Sequence, residues 1–426
     1  MTGKSIGLWS AVSIGVGSMI GAGIFSILGV AAQIAGRAMY LSFIIAGAIA
    51  LLSTYSFARL GSRYPSASGA AEFILRGFGD TVTSGGLNIL LWIAYMFALS
   101  LYGKAFAGYA MTLLPSSVPA LLEHVLSTAI ILVFMAVNFV GARAVGKTEV
   151  VIVAVKVAVL VLFVIAGLLF VDTNAFSFSQ LPGTSNILYG AAIVFLAYEG
   201  FGLIANAAGD MRQPKVTLPQ ALFISVVLTM VIYVLVSVTV LGNLPLSDII
   251  AAKDYALAAA AEPFLGRAGF TLMAVAALFS TSSAINAMLY GGANISYALA
   301  KYGELPETFE RKVWGESTEG LFITVGIVIL FVNILTLNGI AIAGSAAILI
   351  IYLAVHVSHL RLQEETGANV LVILASIVAS IVFLAIVLYY AGVTSPSTLV
   401  ILAVMIAGAF LTEWLYRRYA DRVLKP

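Results

Sequence analysis

A chain of 426 residues that is 62% hydrophobic and only 9% charged has too little polar surface to cover an ordinary soluble fold. The deficit runs the whole length, which excludes a single-anchor receptor and leaves room for about twelve spans of about 20 residues with no separate globular domain. The net charge of +2 points to no partner by itself, and the absence of cysteine excludes thiol catalysis, thiolate metal sites and disulfides.

Ser5 to Gly36 carries no charge and is too long and too Gly-rich for a cleaved signal peptide, so it reads as the first span. Within it Gly15, Gly17, Gly21 and Gly23 crowd the middle. Each interior Gly costs up to about 1 kcal/mol relative to Ala. The run therefore implies either close helix packing or a chain unwound around a ligand. Charges, Pro and Gly then punctuate spans at Ala38 to Ser62, Gly86 to Leu114, Leu121 to Gly141 and Val150 to Val171. Lys104, well inside the third, reads as a snorkelled or vestibule-facing side chain. Lys156 is the one charge inside the fifth, where a lysine costs about 3 kcal/mol. It lies about 10 Å from the cytoplasmic end at Glu149, so it either snorkels or has a function there.

The sixth span, Asn186 to Gly209, contains Phe195-Leu-Ala-Tyr-Glu-Gly-Phe-Gly202, again with two glycines and a charge near its middle. Phe195, Tyr198 and Phe201 suit either core packing or a lid over a ligand. Glu199 is a second proton site, a selector of cationic substrates, or a holder of its own loosened backbone. Further spans follow at Leu218 to Leu241, Ala268 to Ala300, Gly320 to Leu337, Ile340 to His359, Val370 to Ala391 and Ser397 to Leu415. His356 and His359 fall in the last turn before Arg361 and, with no third ligand beside them, read as interfacial histidines rather than a metal site.

With twelve spans, sixteen Lys and Arg residues (Lys4, Arg59, Arg63, Arg76, Arg143, Lys147, Arg212, Lys215, Lys301, Arg311, Lys312, Arg361, Arg417, Arg418, Arg422, Lys425) fall on one side and three (Arg37, Lys253, Arg267) on the other. That asymmetry puts both termini in the cytoplasm. Interruptions five spans apart, in the first and sixth, suggest two repeats of opposite topology. The expected fold is therefore all-α, with repeat 1 over residues 5–171, repeat 2 over 186–360 and helices 11 and 12 over 368–417.

Four motifs occur in order: Gly17-Ser-Met-Ile-Gly-Ala-Gly-Ile-Phe25, Tyr64-Pro-Ser-Ala-Ser-Gly-Ala-Ala-Glu72, Asp210-Met-Arg-Gln-Pro-Lys-Val-Thr-Leu-Pro219 and Leu299-Ala-Lys-Tyr-Gly-Glu-Leu-Pro306. Together they resemble the amino acid, polyamine and organocation (APC) transporter superfamily, and most closely its proton-coupled, broad-specificity amino-acid transporters. The resemblance implies a LeuT-type 5+5 inverted repeat with broken helices 1 and 6, twelve transmembrane helices and alternating access at the plasma membrane. It further implies that the amides of Ala22 and Gly23 hold a substrate carboxylate, while the carbonyls of Met19, Leu196 and Glu199 hold its ammonium, with Tyr198 and Gly200 in the same segment. It places the Lys156 ammonium where sodium-coupled relatives bind a cation, beside carbonyls near Gly17 and the hydroxyls of Ser282 and Ser283. Glu199 departs from the family pattern, which has an apolar residue there and often an acid at the position of Gly202. The expected partners are an amino acid, protons and the lipid bilayer, with no cofactor and no metal. Nucleic acid is not expected, because the basic residues sort by membrane side. An exchanger of the same fold is the near alternative, and a sodium-coupled symporter or a nutrient receptor a more distant one. An enzyme is not expected, because no nucleophile, base and orienting group cluster.

Overall fold

The computed structural model describes residues 6–115, 117–140, 145–177, 181–301, 303, 305–314 and 317–419. Lys4, Ser5, Gly141, Arg143, Tyr302, Glu304, Arg422 and Lys425, on which some span ends, motifs and charge counts rest, lie outside the described residues, and for Ala22, Lys147 and Glu149 the backbone alone is described.

The chain is helical almost throughout, as hydrocarbon demands of a backbone with no water to bond. In order the helices are α1 (Leu8–Ala35), α2 (Met39–Arg63), α3 (Ala70–Phe78), α4 (Val82–Thr112), α5 (Leu121–Val140), α6 (Val145–Leu168), α7 (Thr184–Val194) and α8 (Gly202–Asn206). They continue with α9 (Pro214–Asn243), α10 (Leu246–Ala251), α11 (Ala256–Lys301), α12 (Glu319–Ile334), α13 (Leu337–Arg361), α14 (Gln363–Thr366), α15 (Val370–Thr394) and α16 (Pro396–Tyr419). Among the described residues ten helical stretches are long and apolar enough to cross a membrane, and two more apolar stretches, Leu8–Gly21 and Glu319–Ile334, are shorter.

The ends have local causes. Gly36, at φ 51°, closes α1; Pro214 opens α9 at a position whose N–H is unpaired in any helix; and Thr81 and Ser84 cap α4 reciprocally. The eighth span differs from expectation: α11 begins at Ala256, and Gly266 (φ 63°, ψ −167°) bends it into two helical arms. Only glycine takes that backbone without steric cost, so residues 256–265 form an arm of their own. The short helices α3 and α10 were not expected, because neither is long or apolar enough to stand out as a span.

Burial sorts the helices. α4, α13 and the segment from Thr184 to Asp210 lie in the middle, whereas α5, α6, α15 and α16 turn side chains such as Val151, Leu162, Leu371 and Val404 outward. Exposed aliphatics of that kind meet lipid in a bilayer.

Three of the basic residues expected on one side, Arg76, Arg361 and Arg417, gather around α3 and the turn after it. Arg361 Nη1 donates to the Gly77 carbonyl (3.0 Å) and Arg76 Nε to Glu72 (2.6 Å), while Arg417 joins Asp80 on the α3–α4 turn to Glu413 on its own helix. Gly85 on α4 makes room for Glu413, since a Cβ there would run into its carboxylate. At the opposite end Arg37 donates to the Ala175 carbonyl (3.1 Å), and the Lys253 backbone lies directly on Gly29 of α1.

Candidate substrate and coupling site

Between α7 and α8, residues Phe195–Phe201 form a 3₁₀ segment of seven residues, every one of them buried. Runs beyond three or four are uncommon, because 3₁₀ hydrogen bonds are poorly aligned, and a long one within a span marks a functional or strained place. The segment rests on α1 at glycine. A Cβ on Gly200 would lie 2.6 Å from Ser18 Oγ and 2.7 Å from the Met19 nitrogen.

The first span is where the structure departs from the expected interruption: α1 is helical from Leu8 to Ala35. Its glycines act by close packing instead. A Cβ at Gly15 would run into Ile204, one at Gly21 would lie 2.9 Å from Ala284 Cβ and 3.2 Å from Lys156 Nζ, and one at Gly23 would run into the Tyr233 hydroxyl. The amides of Ala22 and Gly23 therefore sit inside a continuous helix, where each N–H points at the carbonyl four residues earlier.

Three buried tyrosines satisfy carbonyls around this crossing. Tyr233 on α9 places its hydroxyl 2.6 Å from the Met19 oxygen and 3.1 Å from that of Ala197. Tyr352 on α13 donates to the Glu199 carbonyl (3.0 Å), and Tyr198 donates to Phe43 on α2 (2.9 Å). Two of the carbonyls named for the substrate ammonium, Met19 and Glu199, thus accept phenol hydrogens in this conformer. Tyr233 and Tyr352 were not singled out from the sequence, although a tyrosine deep in a span must find a hydrogen-bond partner. Phe195 and Phe201 pack edge-on or tilted against Tyr352, and Phe57 packs against both Phe201 and Tyr352, so these rings form a core cluster. Leu196 is buried beside them and reaches Gly344 of α13.

The Glu199 side chain is 2% exposed, and neither carboxylate oxygen has a hydrogen-bond partner among the described residues. Tyr95, Tyr102 and Tyr352 lie within its electrostatic reach. Buried acceptors left open in this way are rare.

Lys156 is 3% exposed and donates from Nζ to the Gly17 carbonyl at 2.6 Å. It does not snorkel. A Cβ on Gly21 would meet both this nitrogen and Ala284 of α11, so α6 and α11 approach α1 at the same glycine. Of the two serines named beside it, Ser283 is buried and Ser282 half-buried. A serine one turn earlier, Ser280, reaches α1 by donating to the Ile20 carbonyl (3.4 Å). Lys104 faces Glu123 at 3.9 Å.

The two histidines require a correction. His356 and His359 are fully buried rather than interfacial, because α2 and α14 offer them hydroxyls: His356 meets Ser56 (3.0 Å) and Ser53 (3.2 Å) of α2, and His359 meets Ser56 (3.0 Å) and Thr366 of α14 (3.2 Å).

The sixth span thus crosses α1 at glycine through a buried 3₁₀ segment, and a buried lysine bonds to α1 close by. A family profile described as amino acid permease matches residues 6–410. The chain belongs to the amino acid permease family. This permease is a transporter and not an enzyme. It is 42% identical over 423 residues to an uncharacterised protein of Methanocaldococcus jannaschii, covering 99% of this chain and 97% of that one. It is 34% identical over 369 residues to the inner membrane transport protein YbaT of Escherichia coli (86% and 85% covered), and 26% identical over 298 residues to the methylthioribose transporter of Bacillus subtilis (66% and 64% covered).

Proposed function

We propose that this permease carries amino acids across the plasma membrane in symport with protons, by alternating access, with Lys156 as the coupling residue. The observation behind this reading is the 2.6 Å bond from a buried lysine nitrogen on α6 to the Gly17 carbonyl on α1, at the place where α11 also closes in. Gaining or losing one proton there changes how strongly α6 holds α1. In this reading α1, α2, α4, α5 and α6 form the first inverted repeat, and α7 with α8, then α9, α11, α12 and α13, form the second. Helices α15 and α16 complete twelve spans, with both termini cytoplasmic.

The substrate carboxylate goes to the amides of Ala22 and Gly23 once α1 loosens, and the ammonium goes to the carbonyls of Met19, Leu196 and Glu199. Tyr233 and Tyr352 hold two of those acceptors and give way to the ammonium. Relatives support a small-solute carrier whose cargo differs between members: one is named for methylthioribose and another, from Bacillus subtilis, for branched-chain amino acids.

Uptake of labelled amino acids into proteoliposomes, under separately imposed gradients, tests this reading. An inward proton gradient of about one pH unit is expected to drive up to about tenfold accumulation at one proton per substrate. A sodium gradient is expected to drive none. Stimulation by sodium alone would overturn the role of Lys156, and uptake that required internal counter-substrate would make the permease an exchanger.

Glu199 supplies open acceptors to the same place. In the proposed site they receive a donor from the substrate's side chain. Glu199→Gln is expected to lower uptake of cationic amino acids about tenfold relative to neutral ones, the size of one charge-assisted hydrogen bond. An unchanged ratio across a substrate screen would leave Glu199 with a backbone-holding role only.

A further inference from the structure

A cavity of about 470 Å³ opens at the basic end of the bundle, between α2, α9 and α14. It is separate from the substrate crossing. Two stripes at helical spacing line it: Tyr55, Arg59 and Arg63 on α2, and Lys215, Pro219 and Phe223 on α9. Residues four apart lie on one face of a helix, so each stripe is a continuous wall. Both walls run from a cation at the outer end to an aromatic ring at the inner end.

The charge is unbalanced. Three cations face one acid, Glu365, whose carboxylate already accepts the Tyr64 hydroxyl at 2.6 Å. Among the described residues none of Arg59, Arg63 and Lys215 has a carboxylate oxygen within 4.0 Å. Lys215 adds its charge to the first turn of α9, the positive end of a helix dipole, where cations are disfavoured unless an anion joins them. Ser62 also lines the cavity.

The inner end leads into lipid. Phe223 is 36% exposed, and Val227, Leu228 and Val231 continue as exposed apolar residues along α9. A soluble anion would use the cations and leave this apolar continuation unused. We infer that the cavity is a binding site for an anionic phospholipid, its phosphodiester held by Arg59, Arg63 and Lys215, and its acyl chains lying along α9 below Phe223. Basic pockets between spans on the positive side of membrane proteins hold headgroups by this chemistry.

Native mass spectrometry of the purified full-length permease tests the site, with phosphatidylglycerol, phosphatidylcholine of the same chains, and inorganic phosphate as probes. Phosphatidylglycerol is expected to be retained about a hundredfold more strongly than phosphatidylcholine, with three charges acting. Arg59→Gln with Arg63→Gln is expected to reduce that preference about twentyfold, and Lys215→Gln about fivefold, at roughly one factor of five per charge. Arg311→Gln, a control on the exposed chain after α11, should leave it unchanged. Should the double glutamine variant not fold, Arg59→Lys with Arg63→Lys keeps the charge and should keep the preference, and high salt should weaken it in the unaltered protein. Equal retention of the two lipids, or a preference unaffected by the glutamine substitutions, would overturn the site. Displacement of phosphatidylglycerol by inorganic phosphate, with phosphate retained alone, would reassign it to a soluble anion and overturn the lipid.

Discussion

Lys156→Ala is expected to take up labelled amino acid at one rate whether the outside is acidic or neutral, and to equilibrate its substrate rather than concentrate it. The unaltered permease, by contrast, should concentrate it up to about tenfold across one pH unit. The bond from Lys156 to the Gly17 carbonyl links α6 to α1. With a charged donor such a bond contributes about 1.5–3 kcal/mol, and roughly half that with a neutral one. Loss of the proton therefore weakens the link by about 1 kcal/mol or more, enough to bias two conformers about fivefold or further. The sign follows from which face supplies protons. In the proposed cycle, acid outside is to keep the lysine protonated and α1 pinned while the site faces out, and release of the proton to the inside is to free the inner half of α1. Lys156→Arg distinguishes titration from charge alone, because a guanidinium does not release its proton in proteins. That variant is expected to bind substrate and to show no net uptake. Persistence of the original pH dependence in Lys156→Ala would sink the coupling role.

Lys156 was legible in the sequence because a lone charge in an apolar span has few bland explanations, and the one available, snorkelling, is excluded by a side chain 3% exposed. The long spans were legible for a related reason: charges, Pro and Gly punctuate apolar runs sharply when the solvent is hydrocarbon. The glycine run in α1 was not. Close packing and unwinding ask for the same small residues at the same spacing, and only the neighbours Ile204, Ala284 and Tyr233 distinguish them. The histidines failed for want of a distant partner, since Ser53 and Ser56 lie about three hundred residues earlier in the chain. Tyr233 and Tyr352 escaped for the same reason. Their acceptors, Met19 and Glu199, are 214 and 153 residues away.

Those long-range bonds set the second large effect. Gly23→Ala is expected to reduce transport tenfold or more while the protein still folds and inserts. The added methyl runs into the Tyr233 hydroxyl and lies 3.0 Å from both the carbonyl oxygen and Cβ of Ala197, and Tyr233 is fully buried between Phe43 and Tyr198, so it cannot swing clear. Overpacking of this kind costs about 1–3 kcal/mol, small against the packing of the whole bundle but large against the balance between two transport conformers. Tyr233→Phe in the Gly23→Ala background removes the oxygen that the methyl meets, and is expected to restore part of the lost uptake. Tyr233→Phe alone removes the hydroxyl from Met19 and Ala197 and should change the KM for amino acids more than the maximal rate, because it alters who occupies the acceptors rather than whether α1 can move. Gly209→Ala serves as the control, since a Cβ there meets nothing closer than 3.7 Å. If Gly23→Ala transported normally, or if Tyr233→Phe failed to relieve it, the crossing of α1 with the 3₁₀ segment would be a passive contact. Partial rescue would instead tie the fit at Gly23 directly to the acceptors that an amino acid's ammonium is proposed to use.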